Sequence, residues 1–108
     1  MNTCILAGRI HENATVREGK TKALSFVVEA SNGSNGNDKK DLVNCVLFKP
    51  DRELEAMLTE QGKGLYVELE GRVSSSSLKT NGEKRYNSDV IVRNWTFAVV
   101  NLHGSADD

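Results

Sequence analysis

Basic side chains crowd one stretch of this chain. Between Arg72 and Arg93 stand Arg72, Lys79, Lys84, Arg85 and Arg93 against only Glu83 and Asp89, a local balance of about +3. From 51 to 60 the sign reverses, with Asp51, Glu53, Glu55 and Glu60 facing Arg52 alone. The molecule should therefore be polarised. A basic arm suits phosphate, because Lys and Arg that neutralise a nucleic acid backbone release its condensed counterions. A solvated surface hairpin carries the same residues, so the pattern favours nucleic acid only with a fold that presents it. Ser74 to Ser77 either offer hydroxyls to phosphates or serve as polar filler.

Catalytic chemistry finds no support. An enzyme needs a nucleophile beside a base, a paired acid and base, or a metal, and none stands at a recognisable spacing. Cys4 and Cys45 sit in apolar strand-like runs without a Cys or His at ligand spacing, and His11 and His103 are equally isolated. The thiols read as buried and free. "GSNGNDKK" lacks the Gly-Lys-Ser/Thr ending of a phosphate-binding P-loop, and "QGKG" lacks its preceding glycine. We therefore expect no enzyme, no metal, no cofactor and no small-molecule substrate. With 108 residues, 38% of them hydrophobic, and a net charge of -1, the chain reads as one globular domain rather than a basic nucleic-acid sponge. It carries no run of signal-peptide or membrane-span length, so a cytoplasmic location is expected.

The elements that must position these residues follow from periodicity. "TCILAGRI" (3–10) is a first strand, with Gly8 where the strand could bend or admit another backbone. A short extended piece is expected at 14–17. In "KALSFVVEA", Leu24, Phe26 and Val28 alternate with Ser25, Val27 and Glu29, a half-buried strand. "SNGSNGNDKK" (31–40) has no apolar residue and reads as a mobile loop. In "DLVNCVLF" (41–48), Val43, Cys45 and Leu47 point one way and Leu42, Asn44, Val46 and Phe48 the other. Both faces are largely apolar. One can be barrel core, and the second is either simply buried or covered by a subunit, a loop or a ligand.

Pro50 opens "PDRELEAMLTEQGKG", where Leu54, Met57 and Leu58 share one helical face, Asp51 and Glu53 suit the positive end of the dipole, and Gly62 or Gly64 supplies the stop. "LYVELEGRV" alternates Leu65, Val67, Leu69 and Gly71 against Tyr66, Glu68, Glu70 and Arg72. Asn81-Gly82 favours a tight hairpin turn. "KRYNSDVIV" returns as a strand, and "NWTFAVV" extends or ends the sheet. Three strands, a helix and two strands predict an all-β, five-stranded Greek-key barrel, the OB-fold, whose sheet face and loops bind oligonucleotides and oligosaccharides. The hairpin between the fourth and fifth strands would protrude as one wall of a groove. The domain is expected over 1–100, with 101–108 a short disordered extension.

At this point "MNTCILAGRI", "VNCVLF", "QGKGLYVELEGRV" and "GEKRYNSDVIV" resemble, in order and spacing, the successive blocks of the bacterial and phage single-stranded DNA-binding proteins. The resemblance covers residues 1 to about 97. It implies a non-catalytic OB-fold homo-oligomer, tetramer or dimer, that wraps single-stranded DNA without much sequence preference, in replication, recombination or repair. The third strand and the hairpin would hold DNA, and the first strand would help pair subunits. Replication or repair proteins would be further partners.

The departures are specific. Two positions that such proteins often fill with Trp are Leu42 and Leu78 here, and Phe48 alone matches clearly. Each stacking platform is worth roughly 1–3 kcal/mol by alanine substitution, so binding should be weaker, more salt-sensitive or differently placed. Tyr86 and Tyr66 could replace the platforms, or simply pack. Trp95, at a position usually apolar, belongs to core or interface. Arg9, Arg72, Lys79, Lys84, Arg85 and Lys49 would meet phosphates, although Arg9 and Arg72 could instead pair with Glu70 or Glu29. The long tail with an acidic tip that bacterial members carry does not follow "NLHGSADD". A trimmed core is one expectation. A short relative is the other, such as a phage binder or the primosomal replication-restart protein, an interaction module with weak single-strand binding.

Overall fold

The computed structural model describes residues 1–31, 40–97 and 102–105. Its elements run β1 (Cys4–Ile10), β2 (Thr15–Arg17), β3 (Ala23–Ser31), β4 (Lys40–Phe48), α1 (Arg52–Gln61), β5 (Tyr66–Thr80), β6 (Glu83–Phe97) and β7 (Leu102–Ser105). The sheet order is β1-β5-β6-β4-β3-β2, and a further antiparallel pairing of β1 with β3 joins its ends. That pairing closes β1, β5, β6, β4 and β3 into a five-stranded barrel, leaving β2 and β7 as additions to β3 and β6. The fold is the OB-fold barrel with one helix between its third and fourth strands.

Alternation fills the interior. Leu24, Phe26 and Val28 of β3, Cys45 and Leu47 of β4, and Val67 and Leu69 of β5 are buried in one cluster with Val90, Val92 and Phe97 of β6. Gly8 meets the need for close approach at the closure: a Cβ there would lie 2.0 Å from the Glu29 carbonyl oxygen. α1 plugs the barrel with Leu54 and Leu58, both fully buried, and Met57 packed beside them. Each such leucine contributes about 1.5–3 kcal/mol by its removal from water. The Asp51 carboxylate caps the helix by accepting from Leu54 N at 2.8 Å. Gly62 stays right-handed at the C-cap, and the chain reverses at Gly64, where φ is +86°.

Beyond Val73 and Val90 the strands β5 and β6 pair, among the described residues, only with each other, forming an arm roughly 23 Å long at about 3.3 Å per residue. Asn81 (φ 53°) and Gly82 (φ 78°) close it as the tight turn the Asn-Gly pair predicts.

One expectation fails at the end of the chain. Leu102–Ser105, within the segment expected to be disordered, pairs with β6 from Asn94 to Phe97 as β7. The reason is an open edge, because the parallel pairing of β4 with β6 reaches only Val90 and Ile91 and leaves the later residues of β6 without that neighbour. Trp95 packs on the core and lies over Gly104, where a Cβ would come 2.7 Å from the ring. The 32–39 part of the loop expected at 31–40 lies outside the described residues, as does 98–101.

Candidate nucleic-acid interface

The outer face of the barrel can be mapped from the pairing register, since partnered residues share a side of the sheet. Arg72 on β5 is paired with Ile91 on β6, Ile91 with Val46 on β4, Val46 with Ser25 on β3, and Ser25 with Thr15 on β2. One row thus crosses the outside of the barrel. Ala23, Val46 and Ile91 form a small buried cluster there, with Phe48 half-buried against it. This is the second apolar face of β4, and neighbouring strands cover part of it. The Phe48 ring remains partly exposed beside this cluster. Farther along β4 stand Asn44, exposed, and Leu42, 58% exposed.

The basic residues distribute differently. Arg72 is half-buried in the row described above. Lys79 and Lys84 form one rung near the hairpin tip, and both are exposed. By register they continue the side of the ribbon that carries Val73 and Val90, opposite to Arg72 and Ile91. Lys49 follows β4 directly, exposed, with a left-handed φ of 55° and its N–H donating to the Lys22 carbonyl at 2.9 Å.

Arg9 sits apart from this group. Its Nη1 donates to the Gly64 carbonyl at 2.9 Å, and β1 borders β5 and β3 rather than β4. The two acidic partners suggested for it are otherwise engaged: Glu29 with His11 and Lys40, Glu70 with the Asn94 amide. The hairpin backbone pairs Leu78 with Arg85 and Ser77 with Tyr86, while the side chains of Leu78, Arg85 and Tyr86 lie outside the described part of the structure. Tyr66 is half-buried on β5 opposite Arg9.

Sequence reasoning missed one feature of this face. Arg17, Ser25, Asn44, Asn87 and Asp89, from four strands, line a polar recess of about 320 Å³. A signal was available, since Asn inside strands is disfavoured and both Asn44 and Asn87 interrupt them. Beneath it, Cys45 has its thiol pushed up to about 12 by burial first, then by Cys4 and Asp89. Among the described residues no cluster of His, Cys, Asp and Glu could hold a metal.

Comparison with known proteins decides the family. The sequence model of the single-strand binding protein family matches residues 1–98. The chain belongs to this family. The barrel is similar to a Plasmodium falciparum single-strand binding protein solved in complex with single-stranded DNA, with TM-score 0.67, 17% identity, and coverage of 84% of this chain and 85% of that one. It is also similar to Rim1, a mitochondrial single-stranded DNA-binding protein of S. cerevisiae, with TM-score 0.69, 17% identity, and coverage of 89% and 93%. No curated protein sequence matches significantly. At such identity the two structures speak for the fold, and membership rests on the family match. Family members are non-catalytic DNA binders.

Proposed function

We propose that the chain binds and protects single-stranded DNA, largely without regard to sequence, in replication, recombination or repair. The observation that carries this reading is the continuity of the β4 outer face, with the half-buried Phe48 and exposed Leu42, into the protruding β5–β6 arm of a family barrel. Phe48 stacks a base. Arg72, Lys79, Lys84, Arg85 and Lys49 neutralise phosphates along the arm and the end of β4, with Leu42, Leu78 and Tyr86 lining the path. Arg9, tied to Gly64, contributes charge from the rim.

The protein acts as a homo-oligomer, dimer or tetramer, in the cytoplasm. Supporting the oligomer is β1, which pairs with β5 along Cys4–Arg9 but with β3 only at Arg9 and Ile10, so the side of Cys4 to Gly8 turned away from β5 has no strand partner among the described residues. Ile5 on that strand is 79% exposed, and a bare apolar edge strand is a template for a second copy. Replication or repair proteins are further partners. A second reading draws on the exposed Leu42, an apolar group where a stacking ring is common: a replication-restart or interaction module of primosomal type, with weak single-strand binding.

Titration of a fluorescent oligo-dT at low and moderate salt, with duplex of equal length as control, tests the proposal. Preference for the single strand, with a log-log salt slope several times roughly -0.7, is expected. Absence of that preference would overturn the single-strand-protection reading and leave the interaction module.

A further inference from the structure

Resting on the single-strand reading, we propose that the recess lined by Arg17, Ser25, Asn44, Asn87 and Asp89 is a nucleobase-edge site that gives this protein a preference for guanine. The fold builds the recess from distant segments. The parallel register that pairs Cys45 with Val90 sets Asn44 beside Asp89, and Asn87 follows on the same side of β6. Ser25 faces out from β3 next to Val46, and Arg17 closes the recess from β2. Among the described residues none of the five side chains has a hydrogen-bond or ion-pair partner. The recess shares its face with the Ala23, Val46 and Ile91 patch and with Phe48. A base stacked on the exposed part of the Phe48 ring therefore has a polar edge-reader on the same face, beginning at Arg17, whose partner Ala23 pairs with Phe48.

The chemistry of the lining selects the ligand. A carboxylate offers acceptors and no donor, so Asp89 repels phosphate and takes N–H groups. Thymine, cytosine and adenine each bring a single donor group to the Watson–Crick edge. Guanine presents two adjacent donor groups, N1–H and N2–H₂, which match the two oxygens of one carboxylate, while its O6 and N7 accept from a guanidinium. Arg17 supplies that guanidinium, and the amides of Asn44 and Asn87 and the Ser25 hydroxyl can serve either sign. At about 320 Å³ the recess stands at the small end of ligand pockets, roughly 300–1,000 Å³, which suits one base.

The experiment compares dissociation constants for oligo-dT and for the same oligonucleotide with one central thymine replaced by guanine, adenine or cytosine. The expected result is guanine favoured by about fivefold or more over each other base, the low end for a good bidentate pair. Hypoxanthine in place of guanine, which lacks the 2-amino group, should remove most of the preference in the unaltered protein. Asp89→Asn, which keeps shape but converts an acceptor into a donor, should bring the guanine-to-thymine ratio close to one. Tight binding of oligo-dT with equal affinity for all four substitutions overturns this inference alone. No binding to any of them overturns the single-strand reading and this one with it.

Discussion

Truncating Phe48 to alanine separates two roles of its ring. The ring packs half-buried on Ala23, Val46 and Ile91. Fully buried Phe→Ala changes cost about 3–5 kcal/mol, so a half-buried ring should cost about 1.5–2.5 kcal/mol. Domains of this size are typically stable by about 5–15 kcal/mol, which leaves the variant folded at room temperature. Stacking is worth roughly 1–3 kcal/mol per base, and a half-buried ring offers only part of its surface, so the lower part of that range applies. A loss of about 1–2 kcal/mol corresponds to an affinity roughly 5- to 30-fold weaker. Fluorescence anisotropy with labelled oligo-dT at fixed salt reads the affinity, and a denaturant melt reads the fold. Phe48→Leu is the companion variant, keeping the apolar packing but removing the aromatic face. It should recover most of the stability and little of the affinity. A folded Phe48→Ala protein that binds within about twofold of the original would refute the stacking role.

The other expectations concern the same face and the core beneath it. Leu42→Trp places an indole at an exposed outer position, so single-strand affinity should rise, by about 5-fold or more if the new ring stacks a base, in the same anisotropy assay. Lys79→Ala combined with Lys84→Ala should flatten the log-log salt slope by about 1.4, two phosphate contacts' worth; an unchanged slope would take the hairpin tip out of the DNA path. Cys45, pushed up to about 12 from its ordinary 9.0, keeps its proton in the folded state while the unfolded chain loses it between those values. The unfolded state then binds fewer protons, so stability falls as pH rises through that window, by up to about 1.4 kcal/mol per pH unit. Melts from about pH 8 to about pH 11 should show this decline, and Cys45→Ala should flatten it.

Much of the barrel was legible along the chain because strand periodicity and turn chemistry are local. Leu24, Phe26 and Val28 alternate with polar neighbours and are buried, Leu54 and Leu58 are helical neighbours and plug the barrel, and Asn81-Gly82 turns the hairpin with both φ values positive. The candidate site was legible only in part. Phe48 and the basic arm could be named, but the run of Lys and Arg gave no sign that Arg72 and the Lys79–Lys84 rung lie on opposite sides of the ribbon. Arg9 could not be assigned to Gly64 from sequence, because that contact spans the barrel rim.

What the sequence by itself determined, then, is which residues become strand, helix and turn, and which side of each strand is apolar, since these depend on neighbours a few positions away. Only the tertiary structure decided the pairing of β1 with β3 that closes the ring, and the short parallel contact of β4 with β6 that sets Asn44 beside Asp89. It also decided the docking of β7 on the edge of β6 that this contact leaves open. Each of these is a register between segments far apart in the chain, and register is fixed by packing both faces and closing the barrel at once, which no local pattern encodes.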